Sequence, residues 1–493
     1  MDTIAQRIIA RLHPSRFARD GDYRDHLFRL VEQGIGGFCI MDGMLEEVTD
    51  AIEQLRAAAR HRLLFAIDAE TGLGMRLDDT VEFPHAFALG LQQPDITDKV
   101  SAIIARSLRS LGIGWNFAPV ADIHSNERNP IIGIRAFGSD PMRVVEHIRA
   151  WIAGHRREGI ASCVKHFPGH GDANVDSHVE LPVITASREQ LVERELVPFF
   201  AAIKDGVPSV MVGHLSVPAL DVTGEIASLS PAIVRGLLRE RLGYDGIVVT
   251  DALDMKPIQQ RLSSGEAVVR AFAAGADVAL LPTDPHEAIV AVRGAFQSGT
   301  LSQDEHHAAL ERIERIATVN QLPANVSLSE MADLALQTAR TAIRMVGDQT
   351  VLPLSQYAHI AALAVVNQDD DLEAPTEFFR YLAQLYRGNM DVGFITRDID
   401  KTDIDDHADA MRDAECLIVA VFERPRAFRQ PLGRSDALDA ALARLSQEKR
   451  RVLVMAGSPH VAVKFPAEVV LWTFSDSSPS CAAAALTLVE HYE

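Results

Sequence analysis

Short apolar runs recur along the chain, separated by stretches in which apolar residues return every three or four positions. The runs "GGFCIM" (36–41), "LLFAIDAE" (63–70), "IGWNFAPVAD" (113–122), "IASCVKHF" (160–167), "PSVMVGHLS" (208–216), "GIVVTDAL" (246–253) and "ADVALLPTD" (276–284) have the length and composition of strands. Between them lie amphipathic segments such as "SREQLVERELVPFFAAIKDG", in which Ser187 and Gln190 have capping-box spacing. This alternation predicts parallel strands joined by helical crossovers. Seven strand candidates before residue 285, with no GxGxxG after the first, fit a (β/α)8-type TIM-like barrel better than a dinucleotide-binding sheet.

The polar residues of these runs collect at their C-terminal ends: Asp68 and Glu70, Asp122, Lys165 and His166, His214, Asp251, Asp284. Barrels carry their chemistry there, although an open doubly wound sheet collects polar groups at the same place. His214 is counted on this ground among the substrate-binding candidates.

A second rhythm follows "QLPANVSLSE" (321–330), whose Pro, Asn and Ser content is that of a linker. It runs through "HIAALAVV" (359–366), "MDVGFITRD" (390–398), "ECLIVAVF" (415–422), "RVLVMAGSP" (451–459) and "VVLWTFSD" (469–476), and predicts a smaller open parallel sheet with helices. The expected organisation is a barrel over 1–320, a linker over 321–330 and a C-terminal α/β domain over 331–493.

A chain of 493 residues is too long for one ordinary core, which agrees with two domains. The formal net charge of −20 argues against nucleic acid or an anionic membrane as partner, because either needs a basic surface. The four cysteines, Cys39, Cys163, Cys416 and Cys481, form no CxxC pair and indicate neither a zinc site nor a disulfide framework. The opening stretch carries charge throughout and no run approaches the roughly twenty apolar residues that span a bilayer, so the expectation is a soluble cytoplasmic protein, monomer or homodimer.

The densest chemistry is in "KHFPGHGDANVDSH" (165–178), with three histidines, two aspartates and a lysine. Pro168 and Gly169 between His166 and His170 argue against a helical metal-ligand pair, while a metal held by scattered His and Asp stays open. The stretch lacks the GxxxxGK[ST] pattern of a nucleotide cradle. A purely structural turn accounts for any single histidine here better than for the whole cluster. In "DSH", Asp176 and His178 are two apart, so an extended segment puts both on one side. The carboxylate then holds one imidazole nitrogen protonated and leaves the other for proton transfer. Such a dyad needs a nucleophile, and Asp251, ending "GIVVTD", is the best-placed candidate.

These residues resemble the family 3 glycoside hydrolases, in particular their β-N-acetylglucosaminidase branch. The resemblance rests on "KHFPGHGDANVDSH" and on "SLSPAIVRGLLRERLGYDGIVVTDALDM", with "NFAPVADI", "RAFGSDP" and "MVGHLSVPALD" in support. It is dense over about residues 5–320 and continues through "TAIRMVGDQTVLPL", which looks like that family's linker into its α/β domain. It implies Asp251 as the nucleophile, His178 as the acid/base and Asp176 as its partner. Lys165, His166, Arg135 and Asp68 would bind sugar hydroxyls, and Asp122 would support Arg135. Neither cofactor nor metal is implied. Where many members carry "DQEGGRV", this chain has "DAETGLGMRL" (68–77), keeping Asp68 and Glu70 but not the turn that follows.

The implied reaction is a retaining double displacement that releases terminal β-linked N-acetylglucosamine from small glycans, in the setting of cell-wall (peptidoglycan) recycling. A histidine acid/base is neutral after the first step, so an anionic acceptor meets less repulsion, and a phosphorylase is the alternative. A catalytically silent sugar-binding protein and a metal-dependent barrel hydrolase are the other readings.

Overall fold

A computed structural model describes residues 3–173, 181–316, 327–367, 372–424, 435–460 and 463–490. The chain divides into two compact units, one of 1–81, 93–132 and 136–331, the other of 82–92, 133–135 and 332–493.

The first unit is a parallel barrel of β1 (Ile8–Leu12), β2 (Gly37–Ile40), β3 (Leu64–Ile67), β4 (Trp115–Asn116), β5 (Ala161–Phe167), β6 (Ser209–Val212), β7 (Ile247–Thr250) and β8 (Ala279–Leu280). The strands pair in the order β7-β6-β5-β4-β3-β2-β1-β8. A parallel bridge between Val249 and Val278 brings the two ends together, with Thr250 N–H donating to Val278 C=O at 3.1 Å. Alternate residues of each strand turn inward, as a period of two requires. Ile9, Cys39, Leu64 and Ala66, Trp115 and Phe117, Ala161 and Cys163, Met211, Ile247 and Val249, Val278 and Leu280 fill the interior. Trp115 is fully buried and its Nε1–H donates to Ser209 Oγ at 2.8 Å, so truncating it to Ala would cost about 3–5 kcal/mol.

The sequence runs anticipate β2 to β8, and the structure adds β1. "IIARL" is short and carries Arg11, which hides the strand in a charged N-terminal stretch. Its pairing with Gly37–Ile40 settles what local pattern does not.

The second unit holds β9 (Arg344–Gly347), β10 (His359–Val366), β11 (Asn389–Thr396), β12 (Cys416–Glu423), β13 (Arg450–Gly457) and β14 (Val469–Trp472), in the order β11-β10-β12-β13-β14-β9. The sequence predicts an all-parallel sheet, whereas β9 runs antiparallel on β14, so the sheet is mixed. β9 belongs to the stretch that resembles a linker, and only its partner makes it a strand. Along β10, Ile360, Ala362 and Ala364 enter one core while Ala361, Leu363 and Val365 enter the other. A strand buried on both faces reads as a continuous apolar run, which is why it stands out in the sequence. The described chain resumes after the barrel with the helix Leu328–Ala342, inside the end of the expected linker.

Candidate active site

The barrel's C-terminal end gathers charges that the sequence spreads over nearly two hundred positions. β5 is buried throughout, and its Lys165 Nζ lies 2.6 Å from Asp68 Oδ1 and 2.6 Å from Glu70 Oε1. Arg76 Nη2 reaches Asp68 Oδ2 at 3.2 Å. Burial works to raise the Asp68 carboxyl, but Lys165 and Arg76 outweigh it and hold it below the usual carboxylate range. Between the two acids, Asn116 of β4 brackets the backbone: Ala69 N–H donates to Asn116 Oδ1 at 3.0 Å, and Asn116 Nδ2 donates to Ala69 C=O at 3.3 Å. Asn116 Nδ2 also donates to His155 Nε2 at 3.0 Å, and burial pushes that ring's pKa down to about 3, which keeps Nε2 an acceptor.

A second cluster adjoins on β5. His166 Nδ1–H donates to Asp122 Oδ2 at 2.7 Å, and the backbone N–H groups of His166 and His170 donate to the same carboxylate at 3.1 and 2.7 Å. Burial opposes ionisation of Asp122, yet His166 and His170 hold its pKa below the ordinary value. The Asp122 bond fixes the His166 tautomer and leaves Nε2 as the other face of the ring. His170 packs edge-on to His166 with ring centroids 5.7 Å apart. Burial, then His166, pushes the His170 pKa down to about 4, so this ring is neutral in the fold. Close approach makes the turn possible: a Cβ on Gly171 would lie 1.7 Å from Ile123 O.

Asp251 follows β7. Its N–H donates to Val212 C=O at 2.9 Å, and its Oδ1 accepts from Ala252 N–H at 2.8 Å. His214, after β6, spans this segment: Nε2 donates to Ala252 C=O at 2.9 Å and Nδ1 meets Ser228 Oγ at 2.8 Å. Both ring nitrogens are thereby engaged with the protein, which sets His214 to hold the chain beside Asp251. Two residues before Lys165 on β5, Cys163 is a buried thiol. Burial chiefly pushes its pKa up to about 12, and it also feels Lys165, Asp68 and Asp251.

Of the residues singled out in the sequence, Asp68, Asp122, Lys165, His166, His214 and Asp251 therefore share one barrel end. Asp122, expected to support Arg135, gives three hydrogen bonds' worth of acceptor to the 166–170 stretch. Arg135 lies on the turn Gly133–Arg135, which belongs to the second unit. Asp176 and His178 lie outside the described residues. Roles for Glu70, Arg76 and Asn116 went unassigned from sequence. Glu70 had a signal, two positions beyond Asp68, whereas an asparagine inside a strand announces nothing until its partner is known. Among the described residues, no three His, Cys, Asp or Glu side chains are grouped to hold a metal ion, and no helix is long and apolar enough to cross a membrane. A cavity of about 500 Å³ opens at the opposite end of the strands, among Ala161, Pro208, Ile247 and Arg312, away from these acids.

Comparison with known proteins agrees with this geometry. The chain is 32% identical over 354 residues to the β-hexosaminidase A of Pseudoalteromonas piscicida, an alignment covering 64% of this chain and 59% of that protein. It is 28% identical to the β-N-acetylglucosaminidase/β-glucosidase of Cellulomonas fimi, over 69% of this chain and 64% of that one. The chain thus spans under two thirds of the length of both relatives. Among solved structures, a glycoside hydrolase family 3 β-N-acetylglucosaminidase from Paenibacillus sp. superposes with a TM-score of 0.84 at 26% identity, covering 99% of this chain and 96% of that one. The model of the glycosyl hydrolase family 3 N-terminal domain matches residues 27–316, more than half of the chain, and the chain belongs to glycosyl hydrolase family 3.

Proposed function

We propose that the protein is a retaining glycosidase that removes terminal β-linked N-acetylglucosamine from small glycans. The observation that carries this reading is that Asp251 shares the C-terminal end of the barrel strands with the Asp68–Lys165–Glu70 and His166–Asp122 clusters. Alternating carboxylates and cations in a mostly buried setting suit a neutral polyol, because each hydroxyl finds both a donor and an acceptor. The relatives named β-hexosaminidase and β-N-acetylglucosaminidase support the choice of sugar.

In the proposed cycle Asp251 attacks the anomeric carbon while His178, oriented by Asp176, protonates the leaving oxygen. His178 then takes a proton from the water that releases the sugar. Lys165, His166 and Asp68 hold the ring hydroxyls. Asp122 orients His166, and His214 steadies the Asp251 segment. The proposed setting is cytoplasmic turnover of cell-wall fragments, which four buried free cysteines suit.

The test is the product from 4-nitrophenyl N-acetyl-β-D-glucosaminide, followed by NMR with and without phosphate. Free sugar appearing first as the β-anomer in both conditions supports the reading. A phosphate-dependent sugar 1-phosphate makes the protein a phosphorylase, and absence of turnover overturns the assignment.

A further inference from the structure

Arg11, His13 and Asp254 belong to the same barrel end, and the cycle above uses none of them. Arg11 is two residues beyond Ile9, which fills the interior, and it pairs in register with the interior Cys39. Cys39 pairs in turn with Ala66, two residues before Asp68, which puts Arg11 on the same rim as the proposed sugar-binding acids. Arg11 Nε donates to Asp254 Oδ2 at 2.8 Å, and its Nη2 donates to the same oxygen. Asp254 is three residues past Asp251. Among the described residues, Arg11 Nη1 and Asp254 Oδ1 make no hydrogen bond, and the Arg11 side chain is 40% exposed.

His13, two residues beyond Arg11 in extended backbone, is held at its N–H and at its ring. Its N–H donates to Tyr23 Oη at 3.0 Å, and that hydroxyl donates to Arg11 C=O at 3.3 Å. Its Nδ1–H donates to Asp42 Oδ2 at 2.5 Å. Asp42 Oδ1 is fixed in turn by Ser15 Oγ–H at 2.7 Å and Ser15 N–H at 3.3 Å. With Nδ1 committed, Nε2 is the acceptor nitrogen of the neutral ring. It makes no hydrogen bond among the described residues, and the side chain is one third exposed.

A donor on Arg11, an acceptor on Asp254 and an acceptor on His13 thus stand on one rim, Arg11 and His13 two extended residues, about 7 Å, apart. Arg11 is matched by Asp254, while Asp42 keeps its charge beside the neutral His13 ring, so the patch offers directional hydrogen bonds with a surplus of negative charge. That selects a neutral polyol over an anion. We propose that Arg11, His13 and Asp254 form a second hydroxyl-reading patch that takes the leaving-group pyranose of a neutral β-linked disaccharide. His13 Nε2 accepts a hydroxyl hydrogen and Arg11 Nη1 donates to a hydroxyl oxygen. The inference rests on the glycosidase reading, since it names the second ring of the same substrate.

The experiment compares N,N′-diacetylchitobiose with 4-nitrophenyl N-acetyl-β-D-glucosaminide as substrates of the full chain. The ratio of kcat/KM for the disaccharide to kcat/KM for the aryl glycoside should fall about tenfold in His13→Phe, the effect of one lost hydrogen bond, and recover in part in His13→Gln, which keeps an acceptor. Asp42→Asn, which no longer commits Nδ1 as the donor, should lower the same ratio. A general loss of packing would lower both rates together, and an unchanged ratio overturns the proposal. Should the wild-type protein turn over neither compound, the proposed function fails by itself. Calorimetry with N,N′-diacetylchitobiose then decides the patch: binding about tenfold weaker in His13→Phe than in wild type supports it, and equal or absent binding overturns it.

Discussion

Lys165 at the end of β5 and Asp68 at the end of β3 are joined by a 2.6 Å ion pair, although 97 positions separate them in the chain. Lys165 is almost wholly buried and also holds Glu70, so its ammonium bridges two acids that would otherwise repel each other. Lys165→Met leaves both carboxylates without it. The expected outcome is a stability loss of about 3–5 kcal/mol in urea titration, together with a raised KM for N-acetylglucosaminides.

Asp251→Asn keeps the size of the side chain and the contact with Ala252 N–H but removes the oxygen proposed as nucleophile. Turnover of the aryl glycoside should fall at least about a thousandfold while the unfolding midpoint stays close to wild type. Near-normal activity would place the nucleophile elsewhere.

Asn116→Ala strips Ala69 of both backbone partners in a fully buried position. Leaving those groups unsatisfied should cost about 2–3 kcal/mol and loosen the Asp68–Glu70 segment. The check is a combined measurement of unfolding and KM, with kcat the less affected quantity.

Asp68 and Asp122 are held below the ordinary carboxylate pKa in the folded protein. A depressed carboxyl stabilises the fold above its unfolded value, about 3.9, and the contribution is lost as pH falls through the folded value. Acid unfolding should therefore set in below about pH 4, and the deficit of Asp122→Asn relative to wild type should be full at pH 7 and shrink in that acid range.

Glu195 has the opposite sign. Burial raises its pKa, with Arg194 only partly opposing, so the fold loses stability from this group as pH rises from the unfolded value of about 4.3 through the folded one. Glu195→Gln should be more stable than wild type at pH 7 and no more stable below about pH 4, as read from urea midpoints across that range.

The strands that are buried on both faces, such as "ECLIVAVF" and "IASCVKHF", were legible because burial on two sides demands an unbroken apolar run. β1 and β9 were not. Arg11 interrupts the first, and four residues of the second pair only at a sheet edge. Within the site, acids and histidines at strand ends were visible as chemistry out of place in apolar segments. Which acid pairs with which base was not: Asp122 serves His166 and the His170 backbone, and Glu70 shares Lys165 with Asp68.

Residue type and period by themselves determined the alternation of strand and helix, the division into a longer and a shorter rhythm, and the collection of reactive groups at the C-terminal strand ends. These are local properties, written in spacing along one segment. Only the tertiary structure decided that β1 closes against β8, that β9 runs antiparallel, and that Asn116, Arg76 and Arg11 stand with the acids. Those facts depend on pairings between segments far apart in the chain. The sequence records such a pairing only as two ordinary residues, and the distance between them is set by the packing of everything in between.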